Sequence, residues 1–379
     1  MYLSFEDSIV FCIVDDKVFN MEIKGCFPVI YPKIMKWIFD WIRPEKIMTS
    51  VSWLSRKQKE TNIHEVFNYY GLIFLDCGTF QFFMKDVDVD MVHEYRKNLV
   101  KWYSCLRPEI VSSLDIPSLL WHSVDTKILR LELSLENYLF LKERIRDIPI
   151  VLGICAFSEK SATIVAKKLK DRLGNPSLIG LGGQVPLLRL SDTKPELGKL
   201  VVSTIRRLRN EMPESFIHVY GAGGHRWYML VRLAGADSAD YAGFAPLAGK
   251  GQVFLPGLDP HHILQKFEIK TRKPRYVQPK NEILTPGELK QLESCLCPAC
   301  KNVSDVENLK NNRKYRIIHN LYTVISESQL VDEYCNSNDL RGLSLHVEDR
   351  LIKNRSSLSS VAKYCIKLSG RSQRSVPLG

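Results

Sequence analysis

The sequence predicts an α/β protein built on a TIM (β/α)8 barrel, with an inserted or appended zinc-binding subdomain. Short apolar runs alternate with helical segments about eight times over roughly 250 residues, which is the pattern of parallel βα units and the length of one such barrel. Three of the apolar runs end near a carboxylate, at Asp76, Asp115 and Asp240. Because the C-termini of all barrel strands converge on one mouth, these carboxylates favour a barrel over a doubly wound sheet.

The predicted strands are apolar runs of about four to eight residues. They span residues 9–14, 47–53, 72–77, 110–114, 148–155, 177–182 and 217–220, and a last strand holds Asp237 and Asp240. The predicted helices lie between them and span residues 31–42, 63–70, 87–105, 129–146, 159–173, 197–209 and 227–234. No GxGxxG motif follows a strand, which weakens a dinucleotide-binding version of the doubly wound alternative.

Three parts are predicted along the 379 residues: a catalytic barrel over 1–260, a zinc-binding subdomain with a packing helix over 261–330, and a basic extension over 331–379. The formal net charge of +11 and the pI of about 9.1 favour an anionic partner, with nucleic acid first. Residues 252–286 are rich in Pro, Lys and Arg and are predicted to be a connecting segment with short strands. A solvated basic loop and a nucleic-acid contact fit this stretch about equally well.

The sequence also bears on the compartment. The N-terminus lacks the basic region followed by an apolar run that marks a signal peptide, and no apolar run approaches the roughly 18 residues that span a bilayer. Of the ten cysteines, three are clustered and seven are scattered, which suits a reducing compartment with one metal site better than a disulfide framework. We therefore predict a cytoplasmic protein without membrane contact.

A metal site is predicted at CLCPAC, where Cys295, Cys297 and Cys300 place three thiols within six residues. Tetrahedral Zn²⁺ then needs one more ligand, and His319 follows in a predicted helix over residues 314–325. His346 is the alternative fourth ligand, and an unliganded cysteine cluster is the other interpretation. A closed Cys3His shell leaves no open position, so this zinc would be structural.

The stretch AGADSADYAGFAPLAGKGQVF, residues 234–254, is predicted to be the end of a buried strand that enters a Gly-rich loop. It holds two carboxylates, Asp237 and Asp240. A carboxylate at the C-terminal mouth of a strand lies where a barrel enzyme keeps its chemistry, so Asp240 is predicted to be a covalent nucleophile. The alternative is that both carboxylates are surface turn or cap residues.

Several short motifs accompany the cysteine cluster in a fixed order. DCGTFQ at residues 76–81 resembles DSGGFQ, Gly180-Leu181 resembles part of GGLAVGE, and residues 235–254 resemble DMFDCVxPTRxGRxGxxF. Asp115 stands at a strand end between them, and HNLY at residues 319–322 follows CxCxxC. Over roughly residues 45–330 the chain thus resembles the tRNA-guanine transglycosylases.

This resemblance implies an enzyme that exchanges a guanine in nucleic acid for a 7-deazaguanine. Asp240 would attack the anomeric carbon, and Asp76 would act as general acid and base on the two bases. Asp115 would accept hydrogen bonds from the N1–H and the exocyclic amine of guanine. Further base-contacting positions implied by the resemblance are Cys77, Gly180, Leu181, Gly221 and Gly223.

The chain departs from the family where the family grips tRNA. APLAGK replaces PTRxGR, and Ala156 stands where the family has a base-reading glutamine. These departures favour DNA over tRNA and resemble the branch that inserts 7-deazaguanines such as 7-cyano-7-deazaguanine into DNA. The phosphate contacts would come from Arg189, Lys250, Arg272, Lys273 and Arg275.

Two alternatives stay open. One is a tRNA-guanine transglycosylase acting on tRNA, and the other is a non-catalytic nucleic-acid-binding subunit, which the presence of both Asp76 and Asp240 disfavours. Because a duplex substrate must have its target guanosine flipped out, a DNA-opening or helicase-like partner protein is also expected.

Overall fold

The computed structural model describes residues 10–14, 17–21, 23–79, 88–263, 284–301 and 306–372. An antiparallel hairpin of β1 (Val10–Val14) and β2 (Lys17–Met21) comes first. Eight parallel strands follow and form one sheet. They are β3 (Gly25–Pro28), β4 (Lys46–Ser50), β5 (Leu72–Asp76), β6 (Ile110–Ser112), β7 (Ile150–Cys155), β8 (Leu178–Gly182), β9 (Phe216–Val219) and β10 (Ser238–Tyr241).

The sheet closes on itself. Consecutive strands from β4 to β10 pair in parallel, and β10 pairs with β3. A parallel bridge joins Val29 to Met48, and the Ile30 N–H donates to the Met48 carbonyl at 2.9 Å, which links the ends of β3 and β4. The predicted TIM barrel is confirmed.

The first barrel strand is not the one the sequence indicates. Residues 9–14 do contain a strand, but it pairs only in the β1–β2 hairpin, outside the eight-stranded sheet. The first barrel strand is β3, with the sequence GCFP and all four residues buried. Its Gly25 has a φ of +116°, and its glycine and proline hide it from a search for apolar runs.

Helices follow the strands around the barrel. They are α1 (Pro32–Ile38), α2 (Ile63–Phe67), α3 (Val89–Leu106), α4 (Val124–Arg144), α5 (Glu159–Leu173), α6 (Val185–Leu190), α7 (Pro195–Glu211), α8 (Trp227–Ala234) and α9 (Phe244–Gly249). Local capping sets several of their starts. In α5, the Ser158 hydroxyl accepts from the Ser161 N–H at 3.1 Å, and the Ser161 hydroxyl accepts from the Ser158 N–H at 2.9 Å.

The barrel has an inner and an outer apolar layer. Side chains pointing inward fill its interior, among them Phe27, Phe74, Val151, Leu178 and Phe216. A larger cluster packs the outer faces of the strands against the helices. This double burial is typical of a barrel whose interior is a packed core, so the open mouth at the strand C-termini is left for chemistry.

The segment after β10 contains the cysteine cluster. It comprises β11 (Gln252–Val253), β12 (His261–His262), α10 (Pro286–Glu293), α11 (Pro298–Lys301), α12 (Val306–Asn311) and α13 (Arg313–Asn336). Helix α13 packs against β3 and α8, so a helix from the predicted zinc-binding subdomain completes the outer layer of the barrel. The boundaries of the three predicted parts stay a prediction.

The C-terminal part returns to the barrel. After α13 come α14 (Leu340–Val347), a π-helical turn (Glu348–Lys353) and α15 (Ser359–Ser372), which packs against α7 and α8. Arg226 forms an ion pair with Asp259, and the Ser356 hydroxyl donates to the same carboxylate at 2.7 Å. Within the described part of the chain, no helix combines the length and apolarity that crossing a membrane requires.

Candidate active site and metal centre

Three carboxylates meet at the mouth of the barrel. Asp76 ends β5, Asp115 follows β6, and Asp240 lies in β10, so parallel strands bring all three to the same rim. The Cys77 Sγ lies between two of them, 3.9 Å from Asp76 Oδ1 and 3.7 Å from Asp115 Oδ1. The Asp240 charge helps to raise the pKa of Asp76, which places the third carboxylate within electrostatic reach.

Asp76 is partly buried and accepts hydrogen bonds at the mouth. Burial raises the pKa of its carboxyl and the Asp240 charge adds to this, whereas hydrogen bonds from the Gly78 N–H and the Ser50 hydroxyl oppose it. The Gly78 N–H donates to Asp76 Oδ2 at 2.9 Å. Gly78 has a φ of +79°, and a Cβ there would lie 2.9 Å from the Ser52 Cβ, so the turn requires glycine. A raised pKa makes a carboxylate a better proton acceptor than an exposed aspartate.

Asp115 is buried, and its pKa is raised by its surroundings. Burial and the nearby Asp76 charge raise the pKa of Asp115 to about 7. The Thr79 hydroxyl donates to Asp115 Oδ1 at 3.0 Å. Gly153 on β7 faces Asp115, and a Cβ at this position would lie 2.5 Å from the Asp115 Cβ. The close approach of the two strands therefore requires a residue without a side chain.

Asp240 is fixed through one oxygen. The Gly221 N–H donates to Asp240 Oδ1 at 2.8 Å, and the His218 Nε2 lies 3.2 Å from the same oxygen. Gly221 has a φ of +75°. The Gly223 N–H donates to the Asp240 carbonyl at 2.7 Å, and a Cβ on Gly223 would lie 2.8 Å from the Asp240 carbonyl carbon. Both predicted glycines therefore contact Asp240 itself.

Asp237, three residues earlier, has a different environment. Its Oδ2 forms an ion pair with Arg209 and accepts from the Ile217 N–H at 2.8 Å. Asp237 thus ties β9 to β10 and α7 at the other end of β10. The two carboxylates are close in the sequence but have different places in the fold. Asp237 holds strands together at one end of β10, and Asp240 lies at the mouth of the barrel.

Gly180 and Leu181 lie within the β8 ladder. A Cβ on Gly180 would lie 2.4 Å from the Tyr220 ring, so glycine makes room for that side chain. The Leu181 carbonyl accepts from the Tyr220 N–H at 3.1 Å. On the same strand, a Cβ on Gly182 would lie 3.6 Å from Asp115 Oδ2. A base contact by Gly180 and Leu181 stays a prediction.

An aromatic pair at the mouth was not predicted from the sequence. Tyr31 follows β3 and Trp53 follows β4, and their ring centroids are 4.2 Å apart. Burial and the Asp240 charge raise the pKa of Tyr31, so this pair lies within electrostatic reach of Asp240. In the sequence, each of these aromatic residues comes shortly after a strand. This pattern can be used for prediction only when β3 is known to be a strand.

Two of the predicted phosphate-binding residues lie within the described part of the chain. Arg189 on α6 and Lys250 at the end of α9 are exposed. Arg272, Lys273 and Arg275 lie outside the described residues, so their role stays a prediction.

The four predicted metal ligands come together. The His319 Nδ1 lies 3.5 Å from the Cys295 Sγ, 3.6 Å from the Cys297 Sγ and 3.5 Å from the Cys300 Sγ. Zn–S bonds of about 2.3 Å and Zn–N bonds of about 2.0 Å at a tetrahedral angle place sulfur and nitrogen roughly 3.5 Å apart. The cluster therefore fits a tetrahedral metal ion and is consistent with zinc.

A second contact orients the histidine. The His319 Nε2 lies 2.8 Å from the Phe254 carbonyl, which fixes the proton on Nε2 and leaves Nδ1 as the ligand. His346 lies on α14 beside Tyr334 and is not part of the cluster. With three thiols and one imidazole the shell is complete, as in sites that stabilise a fold.

Comparison with known proteins finds several curated proteins that are similar to this chain. No family model matches the chain. The chain is 24% identical over 344 residues to the tRNA-guanine(15) transglycosylase of Pyrococcus abyssi, which covers 85% of this chain and 51% of that protein. The chain is 25% identical over 340 residues to the same enzyme of Sulfolobus acidocaldarius, an alignment that covers 85% of this chain and 60% of that protein. It is 24% identical over 330 residues to that of Methanosarcina mazei, with 83% of this chain and 59% of that protein covered.

The chain is thus similar, over more than four fifths of its length, to curated tRNA-guanine transglycosylases. It spans between about half and three fifths of the length of these curated relatives. The family resemblance predicted from the motifs is confirmed, whereas the DNA-inserting branch stays a prediction.

The transglycosylase motif has a glutamine at the position of Ala156. A different glutamine, Gln184, lies beside that position in this chain. Ala156 is fully buried, and its carbonyl accepts from the Gln184 Nε2 at 2.8 Å. The same Nε2 donates to the Gly182 carbonyl at 2.9 Å. Among the described residues, the buried Gln184 Oε1 has no hydrogen-bond partner. The carboxamide at Gln184 thus lies beside the position where the transglycosylase glutamine is expected.

Proposed function

We propose that this chain exchanges guanine in nucleic acid for a 7-deazaguanine through a covalent aspartyl–glycosyl intermediate. The observation that supports it most is the meeting of Asp76, Asp115 and Asp240 at one barrel mouth, with Asp240 fixed through a single oxygen. A non-catalytic subunit would not require this arrangement.

The reaction uses the carboxylates in turn. A carboxylate oxygen of Asp240 bonds to the anomeric carbon as the bond from that carbon to guanine N9 breaks, and the electron pair leaves with N9. Asp76 gives a proton to the departing base. It then takes the N9 proton of the incoming 7-deazaguanine, whose nitrogen attacks the same carbon and releases Asp240. Atoms and protons balance over the cycle.

Asp115 selects the base in this proposal. A carboxylate offers two acceptor oxygens to the N1–H and the exocyclic amine of guanine, a donor pair that adenine lacks. A 7-deazaguanine has the same edge, so one site accepts both the leaving and the incoming base. The Gln184 side chain, whose Nε2 contacts the Ala156 and Gly182 carbonyls, offers an Oε1 that has no hydrogen-bond partner among the described residues. 7-Cyano-7-deazaguanine is one incoming base to test.

The names of the relatives favour tRNA as the polymer. DNA is the second candidate, and one observation favours it. The APLAGK stretch, which replaces the family's tRNA-gripping PTRxGR, forms the apolar helix α9, whose Phe244, Ala245 and Ala248 are buried. A chain without that grip fits another polymer, and a DNA-opening partner remains part of this second proposal. The metal in the Cys3His cluster is proposed to be zinc in a structural role.

The experiment offers labelled guanine to the full chain together with unmodified tRNA, single-stranded DNA or duplex DNA. Label is expected in one polymer only, and the polymer that takes it decides between the two candidates. Absence of label in all three polymers, with folded and metal-loaded protein, would contradict the proposed function.

A matched pair of variants tests the nucleophile. Asp240→Asn is expected to abolish label incorporation and the covalent protein–nucleic acid complex on a denaturing gel, while melting temperature and metal content stay unchanged. Asp237→Asn is the control, because it removes a carboxylate three residues away that is engaged with Arg209. This control should lower the melting temperature and keep the exchange. Exchange by Asp240→Asn at the wild-type rate would exclude Asp240 as nucleophile.

A further inference from the structure

His218 is a buried imidazole inside the barrel with both ring nitrogens engaged. Its Nδ1 lies 2.7 Å from the Ser238 Oγ, and its Nε2 lies 3.2 Å from Asp240 Oδ1. His218 and Ser238 are register partners on the neighbouring strands β9 and β10. The strand pairing therefore sets the distance from the imidazole to the Asp240 carboxylate.

Aromatic rings prevent this imidazole from turning. The ring of His218 makes edge contacts with Tyr220 at 4.7 Å, Phe74 at 5.0 Å and Phe27 at 6.0 Å between centroids. The side chain is fully buried, so water does not compete for its nitrogens. A group packed in this way can impose one orientation on a carboxylate.

The hydrogen-bond chain has one consistent direction when the imidazole is neutral. An ionised carboxylate can only accept, so the proton lies on Nε2, and Nδ1 must then accept from the Ser238 hydroxyl. The Gly221 N–H donates to the same Oδ1 at 2.8 Å. Among the described residues, Asp240 accepts side-chain hydrogen bonds through Oδ1 and none through Oδ2.

We infer that His218, supported by Ser238, is a positioning residue that holds Asp240 Oδ1 so that Oδ2 is the atom that bonds to the sugar. The inference rests on the proposed exchange reaction and names the atom that performs it. Two donors on Oδ1 fix the plane of the carboxylate, and the attack trajectory of Oδ2 follows from that plane.

Two amide variants separate the bond to Asp240 from the mere filling of space. In His218→Gln the amide nitrogen can reach the place of Nε2 and still donate to Asp240, whereas the shorter His218→Asn reaches only toward Ser238. We expect His218→Asn to lower kcat about 100-fold with the KM for guanine unchanged, and His218→Gln to recover most of that loss. The rate of the covalent complex in a single turnover should fall by the same factor.

The controls make each outcome informative. Equal loss of kcat in the two variants at wild-type melting temperature would overturn the inference, as would full activity of His218→Asn. If His218→Asn does not fold, Ser238→Ala decides: a lower kcat at unchanged KM supports the inference, and an unchanged kcat overturns it. Failure of the wild-type chain to exchange guanine would instead contradict the proposed function and is seen before any variant is made.

Discussion

The Thr79 hydroxyl donates a hydrogen bond to Asp115 Oδ1 at 3.0 Å. This hydrogen bond lowers the pKa of Asp115, but burial and the Asp76 charge outweigh it and raise the pKa to about 7. The residue predicted to read guanine thus changes charge close to neutral pH. Both its affinity for guanine and its effect on stability then depend on pH.

The first prediction concerns Asp115 and stability. Its pKa in the folded state lies above that in the unfolded chain, so the folded state binds more protons from about pH 4 to pH 7. The carboxylate therefore lowers the stability increasingly across this window, and the whole effect is present above about pH 7. Asp115→Asn keeps the acceptor for Thr79 and removes the charge. It should raise the free energy of unfolding at pH 8 by roughly 2 to 4 kcal/mol and much less at pH 4.5.

Guanine binding by the same residue provides the control. The wild-type KM for guanine should fall as pH rises through about 7, since only the carboxylate accepts both donors of the base. Asp115→Asn should have a high KM at every pH. A stability difference between the two proteins that does not depend on pH would contradict the titration of buried Asp115. A KM for guanine that Asp115→Asn leaves unchanged would contradict the contact between Asp115 and the base.

The second prediction concerns the aromatic pair at the mouth. Trp53 is 37% exposed, and its ring is tilted by 40° against the neighbouring ring of Tyr31. Since base–aromatic stacking contributes roughly 1 to 3 kcal/mol per base, Trp53→Ala should weaken nucleic-acid binding about tenfold or more and leave the KM for free guanine unchanged. Binding is measured by fluorescence anisotropy of a labelled strand.

Tyr70→Ala is the matched control for Trp53→Ala. Tyr70 is 78% exposed but precedes β5, at the end of the barrel away from the mouth, where its ring stacks on His64. Removing this aromatic residue should not change nucleic-acid affinity. Equal effects of the two substitutions would mean that the mouth is not where the strand is held.

Sequence patterns revealed those features that leave a local trace. An apolar run followed by a carboxylate marks β5 and Asp76, and the CxCxxC spacing marks the metal centre. Strand β3 leaves no such trace, because GCFP combines a glycine with a proline and is defined only by its pairing with β10. The bond from His218 to Asp240 likewise depends on the register of two strands, which residue spacing does not encode.

The third prediction concerns Gly180. A Cβ here would lie 2.4 Å from the Tyr220 ring, whose hydroxyl is 2.8 Å from the Ser112 Oγ. Gly180→Ala should displace that ring and lower the free energy of unfolding by about 1 to 3 kcal/mol. Gly287→Ala is the control, because no described residue outside the surrounding turn of α10 has an atom within 4 Å of the added Cβ. It should be neutral or stabilise by up to about 1 kcal/mol, as helix propensity predicts. Equal melting temperatures for the two variants would contradict the close approach.

The fourth prediction concerns the Cys3His cluster. His319→Ala removes the one imidazole among the four ligands and leaves three thiols that no longer complete a tetrahedral shell. Bound metal should fall from about one ion per chain to a small fraction, and the free energy of unfolding should fall by more than about 4 kcal/mol.

Two controls separate the metal from the loss of a buried side chain. His346→Ala changes a histidine on α14 outside the cluster and should retain the metal. A strong chelator should lower the melting temperature of the wild-type chain to that of His319→Ala and should not lower that of the variant further.

Because α13 carries His319 and also packs against β3, loss of the metal should loosen the barrel on the side where β3 meets β10. Retention of metal by His319→Ala would remove this residue from the shell, and a chelator without effect on the wild-type chain would show that the cluster does not stabilise the fold through a metal.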